Sequence, residues 1–199
     1  MTRHDDILMF WFGALEPDKP VSPERSRLWF GGLDETDQLI RDNFLDDVER
    51  AAAGEYDSWS GTARGRLALI LLLDQFTRNI FRKTPQAFAC DEKALSICQD
   101  GLGIAQDLDL SVIERAFFYL PLEHSEKIEI QRRSVAAFQQ LIDAATPAQR
   151  QACESFHDYA VRHYEIIARF DRFPHRNKIL GRRSTPDEIE FLKQPGSSF

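Results

Sequence analysis

Residues that cap helices precede most of the apolar segments in this chain, and this feature limits its fold more than any other. Ser111 and Thr185 each stand three residues before a glutamate, which is the capping-box pattern of a helix N-terminus. Thr84 and Thr146 each precede a proline, which is tolerated at the first position of a helix. No segment alternates polar and apolar residues over the length of a strand. The sequence therefore predicts an all-α fold of about eight helices.

The same signals divide the chain into helices and connections. Helices are predicted over residues 5–13, 34–54, 62–81, 84 onward, 111–121, 123–144, 146–171 and 185 onward. Three prolines make residues 13–33 a predicted loop, and residues 194–199 a predicted C-terminal tail. Because no low-complexity linker divides the sequence, residues 1–199 are predicted to form a single domain.

The large apolar residues of these helices recur at helical spacing, so they are expected to form the core. We expect most of the following to be buried: Phe76, Ile80, Phe117, Phe138, Ile166 and Phe170.

Charge is unevenly distributed along the chain. The net charge is −7, which argues against binding to nucleic acid or to an acidic membrane surface. Residues 162–183, however, carry seven basic side chains against two acidic ones, so this segment has a net charge of +5. A basic segment in an acidic protein suits a small anionic partner better than a long polyanion.

Cysteine and hydropathy patterns predict a cytoplasmic protein. The three cysteines, Cys90, Cys98 and Cys153, are odd in number and form no Cys-x-x-Cys pair, as expected in a reducing compartment. The apolar run near the N-terminus is too short for a signal sequence, and the longest run, residues 67–73, is too short to span a membrane. A lone Glu-x-x-His at residues 154–157 does not make a metal site, so we predict neither metal nor cofactor.

The first candidate site is a polar segment at the end of the leucine-rich helix. Asp74, Arg78 and Arg82 fall on one stripe at 100° per residue, with Gln75 and Asn79 beside it. Three interpretations stay open: a solvated helix end, an internal salt-bridge network, or a ligand site.

The second candidate is the pair Glu123 and His124, which offers acid and base groups where a helix is predicted to begin. The alternative is structural, because a carboxylate in the first turn stabilises a helix.

The third candidate lies in the basic segment around Pro174. This proline is expected to end one helix and begin another, with Arg172, His175, Arg176 and Asn177 around the free backbone N–H groups. Guanidinium groups beside free N–H groups suit a phosphate or carboxylate. Alternatively, the arginines tie the C-terminal segment to acidic helices.

Several short motifs in a fixed order resemble one bacterial family, the domain-of-unknown-function family nine-two-four. These motifs are Phe-Trp-Phe-Gly at 10–13, Leu-Asp-Gln-Phe-Thr-Arg-Asn at 73–79, Leu-Glu-His-Ser-Glu at 122–126, Arg-Phe-Pro-His-Arg-Asn at 172–177, Leu-Gly-Arg at 180–182, Ser-Thr-Pro at 184–186 and Pro-Gly-Ser-Ser-Phe at 195–199. Met9 departs from the acidic residue expected before the first motif. The resemblance implies antiparallel helical hairpins in a tetratricopeptide-like, right-handed α-α superhelix. It implies no established activity and therefore no catalytic residues.

We hypothesise a binding protein with an arginine-rich cleft for a small anionic molecule or an acidic peptide. In this hypothesis Arg78 and Arg82 face Arg172, His175 and Arg176. One alternative is a hydrolase- or lyase-type enzyme with His124 or His175 as the acid or base and Arg78 as an electrostatic stabiliser. Another is a tetratricopeptide-like scaffold for protein–protein interaction, whose polar motifs only hold the helices together. The sequence does not indicate an oligomeric state.

Overall fold

The computed structural model describes residues 2–198, and its regular elements in that range are all helical, which confirms the predicted fold class. The α-helices are α1 (Arg3–Phe12), α2 (Pro23–Phe30), α3 (Asp34–Ala53), α4 (Ala63–Ile70), α5 (Thr77–Ile80), α6 (Asp91–Gly103), α7 (Val112–Glu123), α8 (Ile128–Ala144), α9 (Arg150–Phe170) and α10 (Pro186–Phe191). Helix α8 packs against both α7 and α9, as successive hairpins require. The right-handed superhelix remains a prediction.

The core is built around aromatic side chains, most of which the apolar spacing predicted. Phe76, Phe117 and Phe138 are fully buried, and Ile80 and Ile166 are also buried, whereas Phe170 is only half-buried. Trp11 lies between two of these rings, with its centroid 5.3 Å from Phe76 and 5.8 Å from Phe117. Helix α1 therefore contributes a central part of the core, although it is short.

The prediction of a loop over residues 13–33 is wrong in its second half. Residues Pro23–Phe30 form α2, and the Oγ atom of Ser22 accepts a hydrogen bond from the Arg25 N–H at 3.3 Å. A hydroxyl residue followed by proline, here Ser22 and Pro23, is the helix-start pattern that we used at Thr84. We did not apply it here because two further prolines upstream indicated a loop.

The boundary between α7 and α8 also differs from the prediction. Pro121 lies inside α7, which continues to Glu123, and α8 begins only at Ile128. The helix continues past the proline, and at its end the His124 N–H donates to the Leu120 carbonyl at 3.0 Å. Glu123 and His124 therefore stand at a helix C-terminus, where no free N–H groups are available.

A π-helical turn, Leu71–Phe76, joins α4 to α5 and was not predicted. Such turns insert an extra residue and frequently occur at functional sites. This one places Asp74 and Gln75 inside the protein, where Asp74 is fully buried. The Thr77 hydroxyl donates to the Leu73 carbonyl at 2.9 Å, which helps to satisfy a backbone group that the wider turn displaces.

The helix starts that the sequence marked most clearly are confirmed. Ser111 and Thr185 form capping boxes with Glu114 and Glu188. At α1, however, the N-cap is Thr2, and its N–H donates to the Asp5 carboxylate at 3.2 Å, so Asp5 is not the cap that we predicted. Residues 194–198 contain no helix, in line with the predicted tail, and Phe199 lies outside the described residues.

Replacing Thr185 by alanine is expected to lower the free energy of unfolding by about 0.5–2 kcal/mol. The Thr185 Oγ1 atom accepts the Glu188 N–H at 3.2 Å, and the Thr185 N–H donates to Glu188 at 2.7 Å. Urea unfolding of the variant measures the loss. Ser58→Ala is the control, because Ser58 is exposed and we expect a change below about 0.5 kcal/mol. Equal unfolding of both variants would contradict the role of this cap.

Candidate functional site

A buried carboxylate, Asp74, organises the polar interior between α5 and α7. Its Oδ1 atom lies 2.7 Å from the Nδ1 atom of His124 and 3.3 Å from the Nη1 atom of Arg78. Its Oδ2 atom accepts the Gln75 amide at 2.6 Å. Burial by itself raises the pKa of Asp74, but the charge of Arg78 and the hydrogen bonds from His124 and Gln75 outweigh it and hold that pKa below its usual range. Asp74 is therefore ionised at neutral pH.

Asp91, at the first position of α6, joins two arginines that are distant in sequence. Arg78 binds it through both ends of its fork, at 2.9 and 3.0 Å, and the Nη1 atom of Arg176 donates to it at 3.2 Å. Sequence analysis missed this residue, because an aspartate in the first turn of a helix ordinarily interacts with the helix dipole. Nothing in the local sequence distinguishes it from Glu92 beside it.

A cleft of about 260 Å³ opens beside this cluster. It is lined by Pro85, Phe88, Ala89, Asp91, Glu92, Leu95, Pro121, His124, Ser125, Glu126, Arg176 and Leu180. Its acidic members are already paired: Glu126 binds Arg182 at 2.6 and 3.0 Å, and Glu92 lies 3.1 Å from the Lys127 ammonium. Two predicted site residues, His124 and Arg176, therefore line the same cleft. A third, Arg78, is connected to it through its ion pair with Asp91.

Arg176 forms one wall of the cleft and is incompletely paired. Its guanidinium carbon lies 4.7 Å from the Phe88 ring centroid and 4.5 Å from that of Phe173, so two rings hold the group in place. Among the described residues, its Nε atom is buried without a hydrogen-bond partner. Burial and the positive charge of Arg78 lower the pKa of Arg176 to about 10. This guanidinium thus has less compensating negative charge than its neighbour.

Glu123 lies behind His124 and is buried in the protein. Its Oε1 atom is 3.2 Å from the Nδ1 atom of His163, which also hydrogen-bonds to the Tyr159 carbonyl at 2.8 Å. Burial and the negative charge of Asp74 raise the pKa of Glu123 to about 8. At neutral pH this carboxyl group is therefore largely protonated and adds little negative charge to the cluster.

His124 in the cleft and two other histidines, His163 and His175, are neutral at pH 7. Burial, reinforced by the charge of Arg78, lowers the pKa of His124. Burial and the charge of Arg176 lower the pKa of His175 to about 4. Burial and the neighbouring His124 lower the pKa of His163. An un-ionised imidazole can accept a proton through one nitrogen, so His124 is chemically able to act as a base.

Four predicted site residues lie away from the cleft. Asn79 and Arg82 both hydrogen-bond to Asp37 on α3, the Asn79 amide at 2.8 Å. Arg172 binds Glu188 of α10 at 2.6 and 2.8 Å, and the Asn177 amide lies 3.1 Å from the Ser184 hydroxyl. Their contacts in the structure tie α3 to α5 and α10 to the segment before it.

The segment around Pro174 differs from the predicted helix start. Helix α9 ends at Phe170, Asp171 takes a left-handed conformation with φ of 55°, and Pro174–Arg176 form only one 3-10 turn. The Arg176 and Asn177 N–H groups are bound to the Phe173 and Pro174 carbonyls at 3.1 and 3.0 Å. An anion at this position would meet side chains rather than a row of free backbone N–H groups.

The family comparison agrees with the motifs in the sequence. A family model described as a bacterial protein of unknown function, DUF924, matches residues 7–196. The chain belongs to this family. A solved structure, that of a protein of unknown function (ATU0120) from Agrobacterium tumefaciens, shares 36% identity with this chain over 96% of each chain, with a TM-score of 0.81. No curated protein matches the sequence significantly.

The comparisons establish family and fold but assign no ligand or reaction to DUF924. Two structural findings add to them, both for residues 2–198. None of the described helices is long and apolar enough to cross a bilayer, and no group of three or more His, Cys, Asp or Glu side chains is arranged to hold a metal ion. The function must therefore be argued from the cleft.

Proposed function

We propose that this DUF924 protein binds a small molecule through a carboxylate or phosphate group, and that Arg176 is the residue that holds this group. The observation that carries the proposal is the position of Arg176: it lines the cleft, it is held between two aromatic rings, and its Nε atom is buried without a partner. A guanidinium with unused donors in a partly desolvated cleft is suited to an oxyanion.

The distribution of charge supports Arg176 rather than Arg78 in this role. Arg78 uses both ends of its fork on Asp91 and also donates to the Asp74 carbonyl at 2.8 Å. Within the described residues, the Arg176 side chain makes only one hydrogen bond, at 3.2 Å. Arg78 therefore orients Asp91, and Asp91 in turn orients Arg176 towards the ligand.

Arg176→Lys is expected to weaken binding of inorganic phosphate or succinate by about ten- to a hundredfold. The estimate corresponds to loss of one charge-assisted hydrogen bond of about 1.5–3 kcal/mol. Lysine keeps the charge but presents it as a point, without the planar fork. Isothermal titration calorimetry of both anions measures the change, and thermal unfolding checks that the variant is folded.

Arg172→Lys is the matched control, because Arg172 has the same side chain and binds Glu188 outside the cleft. It should leave anion affinity within about twofold of the wild type. If neither anion binds the wild-type protein, or if both variants bind equally well, the proposal is wrong. The polar residues would then only connect the helices, and the scaffold hypothesis would take its place.

A further inference from the structure

We propose that the cleft is also catalytic, with His124 as a general base that activates water for hydrolysis of small acyl esters bearing an anionic group. This inference rests on the proposed function, because Arg176 would hold the anionic end of the ester. It goes further in assigning a reaction and a base.

The geometry of His124 supports this role. The residue caps the C-terminus of α7, lines the cleft, and keeps 13% of its side chain exposed. Its Nδ1 atom lies 2.7 Å from the fully buried Asp74 carboxylate. Within the described residues, the Nε2 atom has no hydrogen-bond partner. A carboxylate that holds one imidazole nitrogen fixes the ring and leaves the other nitrogen for the reaction.

This contact also determines the tautomer. An ionised Asp74 can only accept a hydrogen bond, so the proton of a neutral His124 must lie on Nδ1. The lone pair of Nε2 is then available to accept a proton. Asp74 acts as a positioning residue, and Arg78 and Gln75 hold its carboxylate in place.

The reaction requires no oxidant and no cofactor. Nε2 of His124 takes a proton from a water molecule as the water oxygen bonds to the acyl carbon. The tetrahedral intermediate then collapses, breaking the bond to the ester oxygen, and the imidazolium returns its proton to that oxygen. The products are a carboxylic acid and an alcohol. A base with a lowered pKa suits water that is deprotonated during its attack, and suits an unactivated C–H bond poorly.

Titratable and charged groups on every surrounding element face His124. They are Asp74 on the π-helical turn, Arg78 on α5, Asp91 on α6, Glu123 on α7, His163 on α9, and His175 and Arg176 in the segment after α9. Of these, Arg78, Asp74 and Asp91 act on the pKa of His124. Because burial and Arg78 outweigh Asp74, the base should remain active below the ordinary imidazole pKa.

Two synthetic esters test the inference: p-nitrophenyl acetate, which is neutral, and mono-p-nitrophenyl succinate, which carries a carboxylate. The wild type should hydrolyse both above the buffer rate and prefer the succinate ester. His124→Gln should reduce both rates at least tenfold, within the range that a general base contributes. His157→Gln, on α9 and outside the cleft, should leave both rates unchanged. Mass spectrometry should show no acylated His124, because a general base forms no covalent adduct.

Long-range ¹H–¹⁵N NMR of the labelled wild type provides a second test that depends on no variant. It should show His124 with its proton on Nδ1 at pH 7. A proton on Nε2, an acylated His124, or equal rates in the wild type and His124→Gln would overturn the catalytic proposal. A failure of the anion site alone gives a different result. In that case Arg176→Lys would keep the wild-type preference for the succinate ester over the acetate ester, while hydrolysis of both esters would still depend on His124.

Discussion

Replacing Phe76 by alanine is expected to lower the free energy of unfolding by about 3–5 kcal/mol. The Phe76 side chain is fully buried, and its ring centroid lies 5.0 Å from Phe44, 5.3 Å from Trp11 and 6.2 Å from Phe10. Alanine would remove the apolar area and leave a cavity between α1, α3 and the π-helical turn. Because small domains are stable by only about 5–15 kcal/mol, the loss should be large in urea unfolding.

Phe30→Ala is the control for this prediction. Phe30 is 61% exposed, so the same substitution there removes little buried area and should cost at most about 1 kcal/mol. Should Phe76→Ala unfold at the wild-type urea midpoint, our assignment of the core around α1 would be wrong.

Asp74→Asn is expected to lower the free energy of unfolding by about 3–5 kcal/mol, because it leaves Arg78, whose side chain is only 19% exposed, without the fully buried one of its two carboxylate partners. The substitution keeps the shape of the side chain and removes only its charge. In the wild type, the lowered pKa of Asp74 means that its contribution is present above the unfolded value of 3.8 and is lost as the pH falls below it. The difference between wild type and variant, measured by urea unfolding, should therefore shrink in acid.

Asp37→Asn makes the same change in charge at a more exposed pair. Asp37 binds Arg82, whose side chain is 38% exposed, so water compensates for the lost contact and we expect at most about 1 kcal/mol. Equal costs for the two substitutions, or a difference that does not depend on pH, would show that Asp74 is not the centre of a buried network.

Local sequence signals predicted much of the fold. Helix starts at Ser111 and Thr185 involve residues three apart, and the burial of Phe76, Phe117 and Phe138 follows from helical periodicity. The errors arose where local signals competed. Prolines led us to predict a loop where α2 lies and to end α7 too early. A proline inside a helix removes only one hydrogen bond when the following amides still find partners.

The candidate site was less accessible from sequence. The motifs drew attention to Asp74, Arg78, His124 and Arg176, because charged and imidazole groups clustered near predicted helix ends. They did not separate these residues from Arg82 and Arg172, which carry the same side chains. The difference lies in their partners: Arg82 binds Asp37, Arg172 binds Glu188, and both pairs lie away from the cleft.

The sequence by itself thus determined the helical class, the helix starts at Thr62, Ser111 and Thr185, the aromatic core and the family, since these depend on residues close together in the chain. The tertiary structure decided which polar residues meet. The hydrogen bond between Arg176 and Asp91 joins residues 85 apart, and that between His124 and Asp74 joins residues 50 apart. Such pairs form only when packed helices bring them together, and burial then strengthens their interaction by excluding water.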